Sequence, residues 1–409
     1  MSSVEAESQL YGLHVEGARG DGVPLDGLRL ALVSDTYAPQ LNGVTRTLER
    51  LVRAVESRGG EARVFTTTDP RAEPDPKVHR SGSIPFWAYP QLRLAVPAAD
   101  GLAQEMSKWG ADLVHAATPF GMGLAARRAA RMANLPFVTS YHTSFSAYAH
   151  FYQLGLLSAP GWRFLRWFHN GGARTFCPTT AVSRELEGHG FERTAVWGRG
   201  VNTKDFAPSW RSYEIRRSYG LADTEFVVVY VGRLAREKGL DVLLDAMSRL
   251  STMTDAPPCR LLMVGDGPYA AECRRRAGER AVFAGQRSGP ELSRLFASAD
   301  LFVFPSTTDT FGNVLLEAMA SALPVAAADC PVTRELLSGA RSSFFAAGDS
   351  VGLARQIANW GRDPGERRLA GRAGRALAEG RTWALIFDDL FREYRGVVRR
   401  HRAERATAR

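Results

Sequence analysis

Apolar and polar positions fall into two recurring patterns along the chain. Short unbroken apolar runs, LRLALVSD (28–35), EFVVVYVGRL (225–234), CRLLMVGDG (259–267) and DLFVFPS (300–306), suit parallel strands buried on both faces. Between such runs lie longer segments with apolar residues on one helical face, as in TRTLERLVRAVESRGG, where Leu48, Leu51 and Val55 share a side. ADLVHAA (111–117), LPFVTSY (135–141), TFCPTTAVS (175–183) and RTAVWGRG (193–200) continue the strands of the first half, with helical stretches such as GLAARRAARMAN between them. The pattern breaks into polar, proline-containing chain at Asn202 to Trp210 and then restarts, pairing VVVYVGRL with LDVLLDAMSRL, CRLLMVGDG with PYAAECRRRAG, AVFAGQ with PELSRLFASA, and DLFVFPS with GNVLLEAMASAL before PVAAA. This predicts an α/β protein of two Rossmann-like domains facing a cleft, with ligands expected outside the carboxyl ends of the strands. The expected divisions are a disordered polar tail at 1–27, a first domain at 28–205, a second at 206–381, and a final helix with a basic tail at 382–409.

Composition narrows the class. A chain of 409 residues, 45 % hydrophobic and 23 % charged, is neither disordered nor collagenous nor a coiled coil. No apolar run approaches the ~18 residues needed to span a bilayer, and MSSVEAESQL has neither the basic nor the apolar part of a signal peptide, so a cytoplasmic location is expected. Cys177, Cys259, Cys273 and Cys330 are scattered without a CxxC pair, which suggests neither a disulfide framework nor a zinc site. The net charge of +9 is unevenly placed: −4 in residues 1–27, +7 in 28–205, +1 in 206–391 and +5 in 392–409. Such a field favours an anionic partner, a membrane surface or a nucleic acid, although a solvated basic surface gives the same count.

Candidate chemistry gathers at the predicted strand exits. In TDTFGNVLLEAMASALPV, Asp309 stands before a helix starting near Gly312, and Glu317 follows eight residues later, inside it. The unpaired amides of Phe311, Gly312 and Asn313 form an anion site at the positive end of that helix. One acid suits sugar hydroxyls and the other ribose hydroxyls; a dipole-complementing acid and a solvated helix glutamate would read the same way. In VGRLAREKGLDVLL, Gly232 ends a strand and the loop presents Arg233 and Lys238, two cations that suit a diphosphate. The chain has only four lysines, Lys77, Lys108, Lys204 and Lys238, against 48 arginines, so a lysine in this loop hints at a need for a compact ammonium. The GxG of Gly265 and Gly267 lacks the third glycine of a dinucleotide fingerprint and suits close approach of a base or ribose; Gln286 and Arg287 lie at the next strand exit. Asn42 and Gly43 sit at the first strand exit, where backbone amides can approach a phosphate or simply begin a helix. His142 lies just beyond a strand end in SYHTSFSAYAHFYQ, amid Phe145, Tyr148, Phe151, Tyr152, Trp162, Phe164, Trp167 and Phe168, which core packing or an apolar acceptor channel would use. IPFWAYPQLRLAVP (84–97) is also aromatic and proline-rich, without helical periodicity.

GRLAREKGLDVLL, VGDGP, FVFPSTTDTFGNVLLEAMASALPV and RGVNTKDF together resemble the retaining glycosyltransferases of family 4, which have the GT-B fold. NGVTRTL, PFWAYPQLRLAVP, SYHTSFSAYAHFY and RWFHNGGARTFCPT are most similar to the GDP-mannose-dependent mannosyltransferases and sulfoquinovosyl-diacylglycerol synthases of that family. The resemblance covers about residues 28–395. It implies a nucleotide-sugar donor, a lipid or glycan acceptor on the first domain's side, no bound metal or other cofactor, and a final helix that crosses back to the first domain. It further implies that Arg233 and Lys238 clamp the donor diphosphate and that Glu317 holds the ribose. Asp309, with the Phe311 to Asn313 amides, would orient the transferred sugar. His142 would lie beside the anomeric carbon and the acceptor, and Gly43 would allow close backbone approach to the phosphate. The first acid of the family pair is commonly Glu; here it is Asp309, one methylene shorter, which bears on the hydroxyl it reaches. Retention would proceed by front-face attack, the leaving phosphate taking the acceptor proton.

Two rivals are weaker. A nicotinamide-dependent oxidoreductase should show GxGxxG where the first strand exit reads SDTYAPQLNG. A nucleic-acid binder would leave the donor motifs unexplained, so no nucleic-acid partner is expected. The positive first domain and tail, with Phe86, Trp87 and Tyr89, instead suggest a reversible peripheral contact with the inner, anionic membrane face.

Overall fold

The computed structural model describes residues 22–40, 42–86, 89–95, 97–142, 155–254 and 256–407, with the backbone alone at 86, 89–92, 94 and 155–158. Among these residues the chain packs as two compact units. One runs to Gly198 and resumes at Ala384; the other spans Arg199–Trp383.

In the N-terminal unit, β1 (Arg29–Val33), β2 (Glu61–Thr67), β3 (Val78–Ser81), β6 (Leu113–Ala116), β7 (Phe137–Ser140), β8 (Arg174–Cys177) and β9 (Thr194–Val196) form one parallel sheet in the order β3-β2-β1-β6-β7-β8-β9. β4 (Ile84–Phe86) and β5 (Tyr89–Leu94) make a separate antiparallel pair, so the aromatic, proline-rich segment that resisted a helical reading is a hairpin. The C-terminal unit has a parallel sheet of β10 (Phe226–Val231), β11 (Cys259–Val264), β12 (Ala281–Gly285), β13 (Leu301–Phe304), β14 (Val325–Ala328) and β15 (Ser343–Phe345), ordered β12-β11-β10-β13-β14-β15. Both sheets start from a central strand, grow outward in one direction and then reverse, the doubly wound arrangement that opens a ligand crevice at the reversal. The central strands of the C-terminal sheet are buried throughout: every residue of β10, β13 and β14 is below 9 % exposed, as continuous apolar runs require.

Four helices matter for function: α1 (Gly43–Ser57), α2 (Leu240–Leu250), α3 (Asn313–Ala320) and α4 (Trp383–Thr407). α4 buries the stripe Phe387, Leu390, Phe391, Tyr394 and Val397 and, from Ala384 onward, belongs to the N-terminal unit, the return expected of the final helix. Arg174 with Glu393 (2.9 Å) and Arg402 with Asp112 (2.5 Å) tie it down, and the helix runs on through the basic tail to Thr407.

Some expectations are corrected. Residues 22–27 do not belong to a disordered tail: the Val23 amide donates to Asp388 at 3.0 Å, and Leu25 is only 2 % exposed. The remainder of that proposed tail, 1–21, lies outside the described residues. TFCPTTAVS is a strand only to Cys177; a helix begins at Thr180, capped by Thr179, whose hydroxyl accepts from the Val182 amide.

Candidate functional site

The exits of β10 and β13 flank the point where the C-terminal sheet reverses order, and they carry the charged residues singled out above. After β10 the chain passes Gly232 and Arg233, makes a short helical turn at Arg236–Lys238, and enters α2 through Gly239. Gly239 has φ +70°, and a Cβ there would come within 2.4 Å of the Pro305 carbonyl oxygen, so this residue type is required for the two exits to touch. They touch through polar groups. The Lys238 ammonium donates to Asp309 Oδ1 at 2.6 Å, and the Thr308 hydroxyl donates to the Glu237 carbonyl at 3.1 Å. One turn back, the Arg233 guanidinium donates to the Glu237 carboxylate, which is 5 % exposed at its side chain. Beneath them the buried Tyr230 hydroxyl donates to the Arg233 carbonyl at 3.0 Å, and burial pushes its phenol well above the usual range.

The result is an alternating row of charge: Arg233, Glu237, Lys238, Asp309. Each cation is held by a carboxylate yet keeps solvent access, 35 % at Arg233 and 18 % at Lys238. Such pairing restricts long side chains before any ligand arrives and sets two cations side by side at the strand exit. Glu237 is not among the residues that the sequence motifs mark, although its spacing of four from Arg233 in RLAREK is a legible signal.

α3 starts as expected. Gly312 caps it with φ +83°, and Phe311 sends its ring into the core, leaving its backbone at the helix start. Among the described residues the buried side-chain Oδ1 of Asn313 has no hydrogen-bond partner, an unsatisfied acceptor at the first residue of the helix. Glu317 lies one turn into α3, half-buried.

Gly265 and Gly267 have a different explanation from the one the sequence suggested. A Cβ at Gly265 would sit 2.0 Å from the Gly232 carbonyl oxygen, and one at Gly267 would sit 2.5 Å from that of Leu234. The protein's own backbone, at the adjoining exits of β10 and β11, accounts for both glycines without a base or ribose. Arg287 is engaged by Tyr219 (3.0 Å) and Glu291 (3.0 Å).

In the N-terminal unit, Asn42 caps α1, its side chain accepting from the Thr45 amide at 2.9 Å and donating to Thr36 at 2.8 Å. Among the described residues, no atom lies within 4 Å of where a Cβ on Gly43 would stand. Asp35, at the β1 exit, is fully buried; it accepts from the Thr118 hydroxyl (2.6 Å) and the Met122 amide (3.0 Å), while burial raises its carboxyl above the usual value. His142, beyond the end of β7, has its Nε2 2.8 Å from Ser140 Oγ and its ring edge-on to Trp197. Phe168 is core, Trp162 stacks on His189 at 3.8 Å, and Phe164 and Trp167 are exposed. Phe145, Tyr148, Phe151, Tyr152, Trp87 and the side chains of Phe86 and Tyr89 lie outside the described residues. Among the described residues no group of three or more His, Cys, Asp or Glu is placed to hold a metal ion, and no helix is long and apolar enough to cross a membrane.

Residues 41–205 match the family model Glycosyltransferase Family 4, and 225–363 match Glycosyl transferases group 1. The GDP-mannose-dependent alpha-mannosyltransferase of Mycolicibacterium smegmatis is 32 % identical over 91 % of this chain and 98 % of its own. The chain belongs to glycosyltransferase family 4. It is a retaining hexosyltransferase, and the expected resemblance holds over nearly its whole length. The sulfoquinovosyl transferase SQD2 of Arabidopsis thaliana is 30 % identical over 87 % of this chain and 71 % of its own. Among solved structures, sucrose-phosphate synthase from Thermosynechococcus elongatus superposes with a TM-score of 0.74 at 22 % identity, covering 90 % of this chain and 99 % of that one, which shows the GT-B fold.

Proposed function

We propose that this family 4 enzyme transfers mannose from GDP-mannose to a lipid or glycolipid acceptor at an anionic membrane face. The observation that carries the donor is the similarity, at 32 % identity over more than nine-tenths of this chain, to two GDP-mannose-dependent alpha-mannosyltransferases, from Mycolicibacterium smegmatis and Mycobacterium tuberculosis. Arg233 and Lys238 receive the diphosphate, whose charge grows as the glycosidic bond breaks; fixed cations at that position lower the barrier because they need not reorganise. When the diphosphate engages Lys238, Asp309 is left to accept from hydroxyls of the sugar. The Asn313 side chain and the first amides of α3 lie beside it, and Glu317 takes the ribose. Gly43, with open space where a Cβ would stand, suits backbone approach to the phosphate, and His142 serves the acceptor side. The leaving phosphate takes the acceptor proton, so no enzyme carboxylate attacks carbon. No metal is required where two cations meet the diphosphate.

A second reading, transfer of a glucosyl or sulfoquinovosyl group from a UDP-sugar, takes its sugars from the names of other relatives: the sulfoquinovosyl transferase SQD2, and an alpha-monoglucosyldiacylglycerol synthase of Streptococcus pneumoniae, 27 % identical over 76 % of this chain. The name of the latter also supports a diacylglycerol-type acceptor. The basic first domain and the +5 of residues 392–409 support a reversible contact with anionic lipid, at about 1 kcal/mol per cation near the surface. The test offers labelled GDP-mannose, UDP-glucose or UDP-sulfoquinovose with vesicles of graded anionic lipid. Label entering the organic phase from GDP-mannose alone, rising with anionic lipid and falling with salt, is the expected outcome. Transfer from a UDP-sugar alone would replace the donor, and product confined to the aqueous phase would remove the lipid acceptor.

A further inference from the structure

Behind His142 runs a buried polar chain that the donor chemistry does not use. The Tyr394 hydroxyl on α4 lies 2.5 Å from His115 Nδ1 on β6, His115 Nε2 lies 2.9 Å from Ser140 Oγ at the end of β7, and Ser140 Oγ lies 2.8 Å from His142 Nε2. Tyr394 and His115 are fully buried, and Ser140 is 2 % exposed. Trp197 holds both imidazoles edge-on, with ring centres 5.7 Å away in each case, and Phe176 packs on His115 and Tyr394.

The chain has a direction, and its buried end sets it. Burial drives the His115 imidazole down to about 3 and the Tyr394 phenol well above 10, so both are neutral near pH 7. A neutral phenol must place its one proton, and among the described residues the only acceptor within hydrogen-bond distance of Tyr394 is His115 Nδ1. The reverse order would have His115 Nδ1–H donate to the phenol and leave the phenol's own proton unpaired in the core, at about 1–3 kcal/mol. With Nδ1 accepting, His115 carries its proton on Nε2 and donates to Ser140 Oγ. Ser140, already accepting, donates its single proton to His142 Nε2.

We propose that Tyr394, His115 and Ser140 are positioning residues that fix His142 as the neutral tautomer protonated on Nδ1. His142 then carries its ring proton on Nδ1, as a donor and not a base. This rests on the transferase reading for its role: a histidine already accepting at Nε2 assists by donating to an oxygen, which agrees with a reaction whose acceptor proton leaves on the phosphate. The helix returning from the end of the chain thereby sets the chemistry of a residue more than two hundred positions earlier.

The experiment labels histidine with 15N in the full-length protein and reads each ring by long-range proton–nitrogen correlation, His142 being assigned from the signals lost in His142→Gln. In the wild type, His142 should show a pyrrole-like Nδ1 and a pyridine-like Nε2. Tyr394→Phe deletes one oxygen and should bring up an Nε2-protonated population; Ser140→Ala should do the same, and Ser140→Thr, which keeps the hydroxyl, should restore the wild-type tautomer. Transfer by Tyr394→Phe should lose about tenfold in kcat, the size of one neutral hydrogen bond, with the donor KM unchanged. A wild-type His142 protonated on Nε2, or a tautomer indifferent to both Tyr394→Phe and Ser140→Ala, overturns the relay. A changed tautomer with undiminished kcat overturns the positioning role. If the tautomers behave as expected but the wild type transfers nothing from GDP-mannose, the relay stands and the proposed donor fails instead.

Discussion

Lys238 and Asp309 illustrate how much one contact decides. Read separately, the lysine suits a phosphate and the aspartate a sugar; the structure puts them 2.6 Å apart, so each restrains the other until a ligand separates them. Removing either therefore alters both roles. Lys238→Ala should cost 10²–10³ in kcat, the loss measured when one preorganised donor to a developing negative charge is deleted. Asp309→Asn keeps the shape and loses the charge, and it should mainly raise the KM for the sugar donor. The pair should be non-additive in the double variant by roughly 0.5–3 kcal/mol, as for groups in one network. Steady-state kinetics of the four proteins checks this; wild-type turnover in Lys238→Ala removes the diphosphate assignment.

Two glycines separate what the chain needs from what a ligand needs. Gly265 faces the Gly232 carbonyl across the neighbouring exits of β11 and β10, so Gly265→Ala must push two strand ends apart. The expected cost is about 1–3 kcal/mol of overpacking in the C-terminal unit, with nucleotide binding lost alongside it. Gly43 begins α1 with open space where its Cβ would stand, so Gly43→Ala should hold or slightly raise stability through better helix propensity while depressing transfer. Thermal unfolding together with transfer rate distinguishes them. Instability in Gly43→Ala, or none in Gly265→Ala, would reverse the assignment.

Across the N-terminal unit, buried imidazoles link stability to pH. His115 and His169 are both driven down to about 3 by burial, against an ordinary 6.5 in the unfolded chain. Below pH 6.5 the unfolded state binds protons that the folded state refuses. Their contribution to stability is therefore complete above about pH 6.5 and declines as pH falls towards 3, by about 1.4 kcal/mol per pH unit for each histidine. Urea midpoints at pH 7, 6 and 5 should fall steadily in the wild type and less steeply in His115→Gln. Asp35, raised by burial, opposes this trend equally in both proteins, so the difference in slope isolates His115. Identical slopes would show that His115 is protonated in the folded state.

Local sequence determined the repeating elements and the pieces of the site. Apolar runs such as VVVYV mark strands because a strand covered on both faces needs apolar residues throughout, and the spacing of Leu48, Leu51 and Val55 marks a helix face; neither depends on distant residues. The stretches around Arg233 and Asp309 likewise stand whole in the sequence, which is why the family was legible there. The hairpin at Ile84–Leu94 escaped because prolines and aromatics obscure a period of two, and the helix at Thr180 because only Pro178 separates the end of the strand at Cys177 from its cap at Thr179. Tertiary structure alone decided which pieces meet. The reversal of strand order beside β10 brings Lys238 against Asp309, 71 positions away; the pairing of β10 with β11 crowds Gly265 onto Gly232; the return of α4 places Tyr394 against His115, 279 positions away. Such pairings depend on how whole strands and helices pack, and side-chain periodicity carries no record of which distant element lies alongside.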